Sequence, residues 1–170
     1  MRAVSIAAFT LLAACGGQAD QAPDPGQHPT AVGMAVDLSG HDVPIIIGLG
    51  DAAALGVDSA EVRWSEESGQ LMVRAGDRFG LLITEEPGDI ARLKADLERD
   101  QLRTSTIIEE RPDRLVWRSA FPDEDLVFVH FYRIVQADGR TFIVQDDDHG
   151  RYSEADVARM IGSVRPKQPM

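Results

Sequence analysis

The stretch LVFVHFYRIV, Leu126 to Val135, limits what this chain can fold into more than any other. It is apolar on both faces for most of its length, so as a strand it belongs in the interior of a sheet. Its surroundings supply neighbours. Ala137-Asp138-Gly139-Arg140 carries the Asp-Gly hairpin signal, and TFIVQ returns beside the run. Upstream, TSTIIEE and RLVWRS flank Arg111-Pro112-Asp113 and read as two more strands. Earlier still, Ala60, Val62 and Trp64 alternate with Glu61 and Arg63, Leu71, Val73 and Ala75 alternate again, and AGD leads into Phe79, Leu81 and Ile83. VPIIIGL, Val43 to Leu49, is a β-branched run that suits a buried strand. Next to it, Asp51 and Gly56 would bound a single helical turn.

Two segments change period. After Pro87-Gly88, Asp89 can cap a helix whose apolar positions are Ile90, Leu93 and Leu97. Near the end, Ser153 with Asp156 forms a capping-box pattern, and Val157, Met160, Ile161 and Val164 make an apolar stripe that Pro166 should stop. The order strands, helix, strands, helix predicts an α+β fold: an antiparallel sheet of about five to seven strands with two main helices packed on one face. This order, with the closing EADVARMIGSV helix, is similar to the Mog1/PsbP-like fold across residues 42–165. The likeness is one of pattern, and it transfers no active site.

The single cysteine is at position 15, after an apolar run too short to span a bilayer. Residues 1–14 read as a signal peptide: Arg2 is the positive start, and Ala3 to Leu12 are free of acidic residues. Leu12-Ala13-Ala14-Cys15 resembles the lipobox of bacterial lipoproteins. The resemblance implies cleavage between Ala14 and Cys15 and acylation of Cys15. Gly16 after the cysteine is similar to the default outer-membrane sorting pattern of two-membrane bacteria, which would place the domain on the periplasmic side. Residues 15–34 are rich in Gly, Pro and Gln and lack apolar periodicity, so they are expected to be a tether with a reach of roughly 25 Å. The domain is expected at 35–166, with a tail at 167–170.

Charge narrows the partners. The net charge is −11, and the basic residues are scattered rather than clustered. Such a chain is a poor fit to nucleic acid or to anionic head groups, because neither finds a basic stripe to neutralise it. One cysteine also excludes an internal disulfide and a thiolate metal cluster.

Catalytic signatures are missing. There is no G-x-S-x-G, no H-E-x-x-H and no Walker loop, and the glycines of GLGDAA (Gly48 to Ala53) read as loop geometry. The most chemical-looking stretch is QDDDHGRYSE, where Asp146, Asp147, Asp148 and His149 cluster. It fails the calcium-loop pattern, since Gly150, Arg151 and Val157 occupy the diagnostic places. His130 shares a strand face with Phe128 and Tyr132, where it could meet a polar group across the sheet. His41 lies where the domain begins. Trp64 and Trp117 are core residues or, if together on an open face, a binding surface. The expected function is therefore a lipid-anchored, non-catalytic envelope domain that binds a protein or a small ligand and needs no cofactor. The alternative is a metal-assisted hydrolase using Asp146, Asp148, His149 and His130.

Overall fold

The computed structural model describes residues 33–50, 55–56, 58–66, 68–122, 125–147 and 149–168. The signal peptide, Ala14, Cys15, the tether up to residue 32, the Asp51 cap and Asp148 lie outside the described residues.

The chain is α+β. Seven strands form one antiparallel sheet: β3 (Glu61–Ser65), β4 (Gln70–Arg74), β5 (Gly80–Glu85), β6 (Thr104–Arg111), β7 (Arg114–Ala120), β8 (Val127–Ala137) and β9 (Arg140–Asp146), in the order β3-β4-β5-β9-β8-β7-β6. A second sheet of three strands joins β1 (Met34–Asp37), β2 (Ile45–Gly50) and β10 (Val164–Pro166) in the order β1-β2-β10. Among the described residues the two main helices are α1 (Ile90–Arg99) and α2 (Glu154–Ser163).

β8 is interior, as its doubly apolar sequence requires. Its two faces meet different layers. Val129, Phe131, Val135 and Ala137 join a core built with Leu71, Val73, Leu81 and Ile83 of β4 and β5, Ile45, Ile47 and Leu49 of β2, and Val157, Met160 and Ile161 of α2. This is the inner face, covered by the small sheet and α2. On the outer face, Tyr132, Leu115 and Ile143 are buried apart from that core. There the Asp89 N–H donates to Tyr132 Oη at 3.2 Å, and a side chain on Gly88 would strike Ile134. The start of α1 therefore sits against the outer face, and the expected packing of both helices on one face is not found.

Connectivity explains the difference. The chain leaves β5 in mid-sheet and resumes at β6 on the far edge, four strand spacings or roughly 19 Å away. A ten-residue helix covers about 15 Å of that distance. It must cross the outer face, because the inner face is filled. From β6 the chain meanders back through β7 and β8 to β9, which closes on β5. The Asp138-Gly139 turn has φ of 52° and 72°, the left-handed pair that a two-residue hairpin needs.

Other details differ from expectation. The small sheet is separate, so the strands do not form one sheet. Val164 and Pro166 leave the helix and pair with Ile47 and Ile45, since the proline ring needs no ladder donor at an edge. Lys167, expected in a tail, donates from its backbone to the Pro44 carbonyl at 2.9 Å and from Nζ to Asp37 at 2.7 Å.

α2 is fixed at both ends. Ser153 and Asp156 complete the expected capping box. Asp156 also accepts from Arg78 Nε and Arg159 Nη1, each at 3.1 Å. Burial pushes its carboxyl up, but the bonds from Ser153 and Arg78 outweigh this and hold it below its ordinary value of 3.8. At the other end, Arg133 of β8 donates to the Ile161 and Val164 carbonyls at 2.7 and 3.2 Å. A guanidinium there satisfies carbonyls that the helix leaves unpaired and meets the negative end of its dipole.

The large sheet ends in charged edges. β3 is five residues long with Glu61 and Arg63 exposed, and β6 is interrupted by a bulge between Ile107 and Glu109.

Candidate functional site

The sequence singled out His130 without a partner, and the sheet supplies one. β8 and β9 pair from Ala137–Arg140 up to Tyr132–Gln145, and there the backbone ladder stops. The next donor, the Phe131 N–H, is taken by a side chain: Asp146 Oδ1 accepts it at 2.7 Å. Asp146 Oδ2 meets His130 Nδ1 at 2.8 Å. The Asp146 side chain is 4% exposed and that of His130 15%, so the pair is largely shielded from water.

An ionised carboxylate only accepts, so Nδ1 must carry the proton. That leaves Nε2 as the nitrogen able to meet another group, and no hydrogen bond among the described residues uses it. The ring itself is packed against two aromatic neighbours. Trp117 is tilted against it with ring centroids 5.4 Å apart, and Phe128 lies near-parallel to it at 6.2 Å and 12°. Phe128 in turn meets Phe121 edge-on and carries the Arg151 guanidinium over its face. A histidine so held cannot rotate without disturbing three strands' worth of side chains.

The pair opens on a cavity of about 250 Å³ lined by Leu97, Arg103, Trp117, His130, Phe131, Gln145 and Asp146. Leu97 comes from α1 and Arg103 from the segment that follows it, so the crossover builds one wall and the sheet the other. Arg103 is positioned by Asp100, which accepts from its Nε at 2.9 Å and from the Leu102 N–H at 2.9 Å. Those bonds, first that from Leu102 and then that from Arg103, hold the Asp100 carboxyl below its usual range.

The acidic turn is divided. Asp146 faces His130, whereas Asp147 pairs with Arg74 and accepts from the His149 N–H at 3.1 Å. Tyr152 packs behind it, and burial, with Asp147 beside it, pushes its phenol up to about 12. Among the described residues, no three His, Cys, Asp or Glu side chains converge as metal ligands. Asp148 lies outside the described residues. His149 lines a different hollow, of about 390 Å³, with Arg63, Met72, Leu82 and Gln145. His41 ends a short 3-10 turn and is exposed. The two tryptophans share no surface, because Trp64 pairs with inner-face Leu71 and Trp117 with outer-face His130. Gly48 and Gly50 belong to β2 rather than to a phosphate loop.

Sequence reading missed Arg103, Gln145 and Leu97 as site residues: they carry no motif, Leu97 and Arg103 reach the cavity only through the crossover, and Gln145 reaches it from β9. Among the described residues that line the cavity there is no serine, threonine, cysteine or lysine. Among the described residues, no helix is long and apolar enough to cross a membrane. No protein-family model matches the chain, and neither does any curated protein or solved structure.

Proposed function

We propose that this chain is a lipid-anchored lipoprotein of a bacterial envelope, whose α+β domain binds a ligand and catalyses nothing. The anchor rests on Leu12-Ala13-Ala14-Cys15 and on the Gly/Pro/Gln-rich residues between it and β1. The binding role rests on one observation: a largely shielded His130–Asp146 pair that opens on a small cavity shared with Arg103, Gln145 and Trp117. Polar groups held in place around a small hollow with some apolar wall serve recognition. Several acyl chains on Cys15 would give a stable anchor, each buried CH₂ contributing about 0.8 kcal/mol.

The test is expression of the full chain in a two-membrane bacterium beside Cys15→Ser. The expected result is detergent-phase partition and an intact mass that starts at an acylated Cys15, with Cys15→Ser remaining unprocessed. Free Met1, or equal partition of both chains, would remove the anchor from the proposal.

A further inference from the structure

The binding half of that reading can be made chemical. The cavity is below the roughly 300–1,000 Å³ of sites for drug-sized molecules, so its occupant is one ring or a short chain. Its polar groups are unevenly charged. Asp146 spends one oxygen on the Phe131 N–H and the other on His130, so it acts on a ligand only through the imidazole. The other charged lining group is Arg103. Its bond to Asp100 uses Nε and not the two terminal nitrogens, the pair that grips a carboxylate side by side. Gln145 adds an amide, while Trp117 and Leu97 offer a flat wall and an aliphatic one.

We infer that this cavity is a binding site for a small organic acid with a flat or short apolar body. The carboxyl group lies between the Arg103 guanidinium and His130 Nε2, and the body lies against Trp117 and Leu97. One proton sits between the acid and Nε2: it arrives on the acid or is taken up by the ring, and Asp146 at Nδ1 steadies the imidazolium in either case. The charged groups facing this ring are Asp146 from β9 and Arg103 from the α1–β6 segment, with Asp100 behind Arg103 and Arg151 behind Phe128. The chain's overall negative charge opposes an acid only weakly, because it is screened over about 8 Å at physiological salt.

Benzoate is the probe, with benzamide as its neutral isostere and benzylamine as its cationic one. Binding is read on the full-length chain in detergent by calorimetry and by the fluorescence of Trp117 in a Trp64→Phe background. The expected result is that benzoate binds and shifts Trp117 emission, and that benzamide and benzylamine bind at least about tenfold more weakly. Arg103→Gln, a change at a part-exposed side chain, should weaken benzoate about tenfold with the melting curve unchanged. His130→Gln should weaken it as well. Equal binding of benzoate and benzamide, preference for benzylamine, no benzoate binding, or indifference to Arg103→Gln would each overturn the assignment. Failure here leaves the membrane partition of Cys15→Ser untouched, so the two proposals fall separately.

Discussion

Replacing Asp156 probes how α2 is held to the sheet. Its carboxylate is 4% exposed and serves three partners at once: the Ser153 backbone and hydroxyl at 3.1 and 2.6 Å, Arg78, and Arg159. Truncation to alanine removes half of the capping box, worth about 1 kcal/mol. It also removes two ion pairs. Arg78 is 54% and Arg159 33% exposed, so each pair contributes nearer about 0.5–1 kcal/mol than the 3–5 kcal/mol of a closed one. The sum is about 2–3 kcal/mol. Asp156→Asn keeps an acceptor for the cap and should lose about 1–2 kcal/mol. Acidity provides the sign. The folded carboxyl lies below its ordinary 3.8, so between the two values the unfolded chain binds more protons. The stabilisation is complete above the ordinary value and is lost as pH falls through the folded one. Urea titrations at pH 7 and pH 3 measure this through the midpoint at constant slope. The wild-type advantage over Asp156→Asn should be narrower at pH 3, other carboxylates cancelling between the two chains. An equal gap at both pH values, or an alanine variant within about 0.5 kcal/mol of wild type, would refute the account.

Further outcomes follow from the same geometry. Asp146→Asn should flip the His130 tautomer, because an amide nitrogen facing Nδ1 donates and moves the ring proton to Nε2; nitrogen NMR of the imidazole reads this directly. Gly80→Ala should destabilise by about 1–3 kcal/mol in thermal melts, since its Cβ would lie 2.2 Å from the buried Tyr152 hydroxyl. Arg133→Met should cost about 1–3 kcal/mol and raise amide exchange in the last turn of α2, whose carbonyls lose their donors.

Much of this was legible from local pattern. The doubly apolar run at Leu126 to Val135 announced an interior strand, and Asp138-Gly139 announced its hairpin. The capping box at Ser153 was readable down to its reciprocal bonds. The inner–outer division was not, because the stripe of Ile90, Leu93 and Leu97 says that α1 lies on something apolar and not on which side. That depends on the jump from β5 to β6, which the non-local pairing of β5 with β9 imposes and no local signal announces. β10 was hidden for a different reason: three residues are too few to show a period, and Val164 also fits the helical stripe. The site was nearer the surface of the sequence than it looked. A two-residue turn that pairs Ala137 with Arg140 brings Phe131 level with Asp146 and so sets Asp146 beside His130. Counting along the hairpin finds the pair, whereas Arg103 emerges only in three dimensions.

The charged rims of the large sheet matter most if copies of this protein share a two-dimensional surface. A lipid anchor confines neighbours to a thin layer, where encounters are frequent and orientations are restricted. Strand ends that meet in such a layer would zip into extended ribbons if their backbones matched. β3 presents Glu61 and Arg63, and β6 breaks its own rhythm at the bulge, so neither offers a continuous template. On such a surface, crowded domains should therefore slide past one another and remain individually exchangeable, a lateral fluidity written into one short charged edge and one bulged edge.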